Sequence, residues 1–262
     1  MADLAALRAR LVALDRVVVA FSGGADSAFL ARMAHDTLGP ERALAVTAVS
    51  PSLAPEEAAD CAALATEWGL RWRGVETDEL ADPLYVANGG DRCYRCKTEL
   101  MAVVGPLARA EGATVVLGVN IDDLGDHRPG QQAAAEGGAA FPLVEAGFTK
   151  ADVREASRRL GLRTWDKPAA ACLASRVPYG TPVTFKVLDE VARAESGLRR
   201  LGYRSVRVRH YGDVARLEIP LPDLASVLER RAAVVEVVRA AGYRYVTLDL
   251  EGLRSGNLND AL

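Results

Sequence analysis

The sequence predicts an α/β protein: a doubly wound parallel sheet with a small C-terminal α+β domain. Three observations lead there. The runs "VVVAF" (17–21), "ALAVTAVS" (43–50) and "TVVLGVN" (114–120) are almost wholly apolar and are separated by segments of helical period. A sheet covered by helices on both faces produces that pattern, because its strands have no polar side. After Pro182 the pattern changes to helix, two short strands, helix and strand. Between the two regimes, "PYGTPV" (178–183) breaks every period with two prolines and a glycine.

Taken in order, apolar residues recur at helical spacing from Leu4 to Leu14, ahead of the strand Val17–Phe21. A helix with Phe29, Leu30, Met33 and Ala34 on its apolar face runs to the break at Gly39-Pro40, before the strand at 43–50. "PEEAADCAALATEWGL" (55–70) is helical and "RWRGVETD" (71–78) alternates as a strand does. Residues 98–112 form the next helix, 114–120 the next strand, and 131–140 a loop followed by a weak helix. The first domain is thus expected over residues 1–180. The second, 183–262, holds a helix over 183–203, strands "SVRVRH" and "VARLEI" hinged on Tyr211-Gly212-Asp213, a helix over 221–243 and the strand "RYVTLDL". No internal repeat is evident.

Composition narrows the function. The chain has 262 residues, 50% of them hydrophobic, so it can bury a sizeable core. A formal net charge of −3 supplies no field that would draw a polyanion, which disfavours nucleic acid as a partner. The N-terminal stretch is charged and amphipathic, unlike a signal peptide, and no run reaches the ~18–20 apolar residues of a membrane span. A cytoplasmic protein without a membrane partner is expected. Four cysteines in such a chain suit metal or sulfur chemistry better than a disulfide framework.

The stretch "VVVAFSGGADSAFLARM" (17–33) carries the chemistry. An inner strand delivers Ser22-Gly23-Gly24 to a helix start, where backbone amides and the positive end of the helix form a socket for phosphate. Ser22 and Ser27 add hydroxyls. Asp26 would repel phosphate unless a cation lay between them, and so implies Mg²⁺. There is no Walker lysine loop and no dinucleotide fingerprint. "SGGADS" instead resembles the "SGGxDS" PP-loop of the ATP pyrophosphatase superfamily. That resemblance implies binding of ATP, cleavage between its α and β phosphates, and formation of an adenylate. It further implies that the base lies against the end of the second strand, near Thr47 to Ser50.

What attacks the adenylate is read from the cysteines. "DRCYRCK" (91–97) carries Cys93 and Cys96, and "PAAACLASRVPYGTP" (168–182) carries Cys172 among small residues. Three thiolates suit a [4Fe-4S] cluster with one iron open to sulfide. A zinc site and three unrelated buried thiols are the alternatives; zinc would want a fourth ligand. Cys61 faces the interior of its helix and is expected in the core. The residues alone lead to adenylylation followed by addition of sulfur.

"KPAAACLASRVPYGTPVT" (167–184), "GVNIDDLGDHRPG" (118–130), "DRCYRCK" and "LDLEGLRSGNLN" (248–259), together with the PP-loop, are similar to the LarE family. The similarity implies an ATP-dependent sulfur transferase of nickel-pincer nucleotide synthesis. It would adenylylate a carboxylate of pyridinium-3,5-dicarboxylate mononucleotide and replace it with a thiocarboxylate. Two sulfur strategies come with the family: Cys172 surrenders its own sulfur, or Cys93, Cys96 and Cys172 hold a cluster that carries sulfide from a donor. The family also implies a symmetric homo-oligomer.

Further residues follow from their places beside these motifs. Lys97, Ser175 and Arg176 could neutralise phosphate or the departing AMP. Gly118 lies near the end of the strand at 114–120 as a nucleotide-site residue, and Asp122, Asp123, Asp126 and Arg128 follow that strand onto the ligand side of the sheet, where Asp123 could be a second Mg²⁺ ligand. Arg207 and Arg209 share one strand face and could fork a phosphate monoester, with Glu195 or Asp249 to orient them; the alternative is two solvated arginines paired with Glu218. The rival functions are an ammonia-using amide synthetase, a tRNA thiolase and a nucleotide sensor with a degenerate site.

Overall fold

The computed structural model describes residues 3–125, 129–168 and 171–254. In chain order its main elements are α1 (Leu4–Leu14), β1 (Val17–Ala20), α2 (Ala25–Leu38), β2 (Ala43–Val49), α3 (Pro55–Trp68), β3 (Trp72–Glu76), α4 (Pro83–Val86), α5 (Arg92–Ala110), β4 (Thr114–Leu117), α6 (Pro129–Glu136), α7 (Pro142–Glu145) and α8 (Lys150–Arg159). They continue with α9 (Phe185–Arg200), β5 (Arg207–Tyr211), β6 (Val214–Glu218), α10 (Leu224–Glu229), α11 (Arg231–Ala240) and β7 (Tyr245–Leu248). Among the described residues no helix is long and apolar enough to cross a membrane.

The chain divides into two units. The first comprises Met1–Ser50, Glu57–Glu79 and Asp91–Ala170. Its sheet runs β3-β2-β1-β4 with every pairing parallel, Val17 facing Ala43 on one side and Thr114 on the other. The apolar character of β1 follows from its position, since both of its faces are covered. Val17 and Val19 belong to a core with Leu7, Leu11, Phe29 and Met33 from α1 and α2. Val18 belongs to a second core with Leu100 and Val104 of α5 and Ala134 of α6. Burying each such side chain stabilises the fold by about 1.5–3 kcal/mol. Two successive crossovers lead outward from β1 to β3, and the next strand, β4, returns to the opposite flank of β1. The carboxyl ends of β1 and β4 therefore form the switch point where ligands bind in such sheets.

Two local expectations change. Helix α5 begins at Arg92 rather than at 98, so the C-x-x-C pair lies within its first two turns. Asp91 stands at its N-cap position, where its carboxylate pairs with Arg95 at 3.0 Å, and α6 packs along the helix. The small-residue segment expected as a loop before a helix has the opposite order: α6 comes first, with Ala133 and Ala134 buried, and a turn then leads to Ala140, which bridges to Val116.

The second unit comprises Pro51–Glu56, Leu80–Gly90 and Ala171–Leu262. Strands β5 and β6 pair antiparallel and β6 and β7 pair parallel. Leu198, Val208, Leu217, Val234 and Val238 fill the core beneath them. The division falls after Ala170, not at 178–183, because "PYGTPV" is an anchored turn instead of a linker. The Asn88 side-chain amide donates to the carbonyls of Val177, Pro178 and Thr181 at 3.3, 2.8 and 2.9 Å. The amides of Gly180 and Val183 donate to the carbonyls of Asn88 and Val86. The single helix expected over 221–243 is broken at Arg230 (φ −98°, ψ 20°), whose guanidinium donates to the Leu201 carbonyl at 2.6 Å beyond the end of α9.

Candidate active site

The loop between β1 and α2 has the form its glycines require. Gly23 has φ +68°, a left-handed conformation that is costly for any residue bearing a Cβ. A Cβ there would also stand 2.9 Å from Cys61 Sγ. Cys61 thus lies in the core, as expected, directly under the loop. Gly24 is the extended N-cap of α2 and no side chain caps that end, so the first amides of a long helix are left to the loop. The Ser22 and Ser27 hydroxyls lie 3.0 Å apart, and Ser27 Oγ also meets the Ser22 amide and the Gly24 carbonyl. The two serines therefore brace the turn.

The loop meets the end of β4. Asn120 Nδ2 donates to Asp26 Oδ1 at 3.1 Å, and the Asn120 amide donates to Asp123 Oδ2 at 3.2 Å. Burial raises the pKa of Asp26 and nearby Asp123 adds to it, while the Asn120 hydrogen bond and Lys150 oppose it. Asn120 is fully buried and its Oδ1 has no partner. Two carboxylates beside an orphaned amide oxygen are a hard donor set that fits Mg²⁺. Among the described residues no three His, Cys, Asp or Glu side chains gather closely enough to hold a metal on their own. Phosphate oxygens and water would complete the shell, as is usual for Mg²⁺. Asp122 instead accepts from the Lys150 amide at 2.8 Å. Asp126 and Arg128 lie outside the described residues.

Gly118 forms this junction by close approach. A Cβ there would stand 2.7 Å from the Ser27 amide nitrogen and 2.8 Å from the Asp26 carbonyl carbon, both backbone. Gly118→Ala is expected to push α2 off β4, lowering stability by about 1–3 kcal/mol and weakening nucleotide binding; thermal unfolding with and without ATP checks it.

Other expected residues are placed differently. Thr47 is 2% exposed; its hydroxyl donates to the Phe21 carbonyl at 2.7 Å and accepts from Trp72 Nε1 at 2.9 Å. It ties β1, β2 and β3 together beneath the surface, while Ser50, after β2, is half-buried. On α5, Cys93 is exposed and Cys96 half-buried, with Cys96 Sγ 3.6 Å from Glu79 Oε1. One helical turn separates the two thiols, and Lys97 follows them on the same helix.

In the second unit Cys172 is exposed and opens a short 3₁₀ turn, Leu173–Arg176. Arg176 is buried beneath it. Its Nε and Nη2 reach both Glu195 oxygens, at 2.8 and 3.1 Å. Its Nη1 donates to the carbonyls of Ala171 and Cys172 at 2.6 and 3.1 Å. Arg176 therefore fixes the main chain that presents the thiol and is not free for phosphate. The Ser175 hydroxyl donates to the same Cys172 carbonyl at 2.7 Å.

Glu195 is fully buried and also accepts from Arg199 and from the Val208 amide. Arg209, 2% exposed, pairs with Glu218 and the Ser175 carbonyl, both at 2.7 Å. Asp249 pairs with Arg216. Arg207 differs: half-buried, it donates to the Arg254 carbonyl, and burial together with repulsion from Arg176 and Arg209 lowers its pKa. The expected fork of two guanidiniums is thus uneven, with Arg209 committed to Glu218 and Arg207 the cation that an anion would relieve.

The NAD synthase family model matches residues 8–87, from α1 through the loop and β3 to the end of α4. A Synechocystis sp. protein, uncharacterized, is 49% identical over 252 residues, 95% of this chain and 94% of its own. The pyridinium-3,5-bisthiocarboxylic acid mononucleotide synthase of Lactiplantibacillus plantarum is 41% identical over 267 residues, covering 100% of this chain and 97% of that one. The chain belongs to the LarE family. An uncharacterized Methanocaldococcus jannaschii protein is 24% identical over 92% of the chain. LarE membership spans both units, whereas the NAD synthase match stops short of the C-x-x-C pair and of Cys172.

Proposed function

We propose that this chain uses MgATP to adenylylate a carboxylate of pyridinium-3,5-dicarboxylate mononucleotide and converts it to a thiocarboxylate. The observation that carries this reading is the loop junction at the switch point of the sheet, where α2 starts without a side-chain cap and Asn120, its own Oδ1 orphaned, contacts both Asp26 and Asp123. The full-length similarity to the L. plantarum synthase supports the substrate.

The α2 amides and the positive helix end take the β and γ phosphates. Asp26, Asp123 and Asn120 would hold magnesium, which when bound offsets phosphate charge. A substrate carboxylate oxygen attacks the α phosphorus, the α–β bridge breaks, and pyrophosphate departs. Arg207 takes the substrate's phosphate monoester, and Lys97 faces charge developing on AMP.

A sulfur nucleophile then attacks the acyl carbon and AMP leaves. With Cys172 as nucleophile, a thioester forms; loss of the Cα proton and cleavage of the Cβ–S bond leave sulfur on the product and dehydroalanine at 172. The second route would draw on the two thiols one turn apart on α5 and on the exposed Cys172. A [4Fe-4S] cluster on Cys93, Cys96 and Cys172 would present sulfide from a donor at an open iron.

The NAD synthase match favours one rival, amide formation from ammonia. Mass spectrometry of the product separates them: with substrate, MgATP and ammonium present, a thiocarboxylate is expected, and a carboxamide refutes the proposal.

A further inference from the structure

Lys167, just before the cysteine segment in sequence, stands against the loop in the first unit. A Cβ built on Gly23 would lie 3.8 Å from Lys167 Nζ. The ammonium donates to Glu57 Oε2 and Asp60 Oδ2 of α3, both at 2.7 Å, and its side chain is 17% exposed. Burial works against its charge, but the hydrogen bonds to Asp60 and Glu57 outweigh that and hold its pKa above the usual lysine range. Asp60 is shared with Arg163 at 2.6 Å, and Arg163 reaches Glu67 at 2.9 Å.

An ammonium has three donors, and these carboxylates take two. The loop "SGGADS" has no lysine of its own and carries an acid beside its phosphate socket. A pyrophosphate seated there would need a cation besides any metal, and Lys167 is the lysine held beside Gly23. Helix α3 aims it: Glu57, Asp60, Cys61 and Leu64 fall on one face, the first two gripping the ammonium and the others lying under Gly23.

We infer that Lys167 is a phosphate-binding residue whose third N–H donates to the pyrophosphate part of ATP, supplying from far along the chain the cation the loop lacks. This rests on the reading of the loop as the ATP site. Glu57 and Asp60 are positioning residues that keep the ammonium charged and extended toward Gly23.

The test measures binding of ATP, inorganic pyrophosphate and AMP to the full chain by calorimetry with Mg²⁺ present. Lys167→Met is expected to weaken ATP and pyrophosphate about ten- to hundredfold, the size of one charged hydrogen bond, and to leave AMP within about twofold. Lys167→Arg is expected to restore most of the loss. Unchanged pyrophosphate affinity in Lys167→Met, or an equal loss for AMP, overturns the assignment, the latter because Lys167 would then only brace the loop. If Lys167→Met does not fold, Glu57→Gln decides: removing one of the two carboxylates that aim the ammonium is expected to weaken pyrophosphate a few-fold while leaving AMP unchanged, and unchanged pyrophosphate affinity or an equal loss for AMP overturns it. Wild-type chain that binds neither ATP nor pyrophosphate overturns the ATP-site reading and this inference together, whereas wild-type binding with an indifferent Lys167→Met overturns the inference alone.

Discussion

Asp26→Asn is expected to stop pyrophosphate release while leaving the fold intact. The substitution keeps the size of the side chain, and a turned amide still offers an oxygen to Asn120 Nδ2, which now meets Asp26 Oδ1 at 3.1 Å. What disappears is the charge that holds a cation against the phosphates. Losing one such element of transition-state electrostatics costs about 10²–10³ in kcat, or 3–4 kcal/mol, and removing a metal carboxylate belongs at the upper end. Stability should move the other way. Burial raises the pKa of Asp26, and a carboxyl whose folded pKa lies above its unfolded value weakens the fold at every pH above the unfolded value. The ligand-free variant is therefore expected to melt at the same temperature as wild type or higher. A pyrophosphate assay beside a thermal melt checks both, and an active Asp26→Asn refutes the metal role.

Cys172→Ala is expected to abolish thiocarboxylate formation while leaving a first round of pyrophosphate release. Cys172 is exposed, and the geometry of its loop depends on Arg176 gripping the Ala171 and Cys172 carbonyls. Removing the sulfur should change stability by no more than about 0.5 kcal/mol. Replacing Cys93 and Cys96 together with alanine then distinguishes the two sulfur routes. If Cys172 gives up its own sulfur, that variant still thiolates once per chain and its intact mass falls by one H₂S. If a cluster carries sulfide, wild type purified without oxygen contains iron, and the double variant has neither iron nor product. Thiolation by Cys172→Ala would remove that cysteine from the reaction.

How much of the fold and site is legible in the sequence depends on range. The three apolar strands and the glycine loop announce themselves within a few residues, because an inner strand has no polar face and a tight strand-to-helix turn needs glycine. Asn120 carries no local signal, because its meaning lies in Asp26, 94 positions away. Lys167 and Glu57 are 110 apart, and Asn88 reaches Val177 across 89. No local period encodes such pairings. Thr47 illustrates the same limit: every residue of β2 from Ala43 to Thr47 is buried and exposure begins only at Ala48 and Val49, and no local period marks where an inner strand surfaces. Arg207 and Arg209 lie two apart on β5, but only Glu218, from the neighbouring strand β6, determines which of them is already occupied.

The interleaving of the two units has a consequence for how such a protein can arise and be dismantled. The backbone passes from one unit to the other at 50/51, 56/57, 79/80, 90/91 and 170/171. No single genetic cut can release either half whole, so this architecture cannot be shuffled as a cassette in the way that modules joined by one tether are. During synthesis the second unit holds two fragments made early and must wait for the ribosome to supply the rest, leaving "SLAPE" and the stretch around Asn88 without their hosts until the last third of the chain emerges.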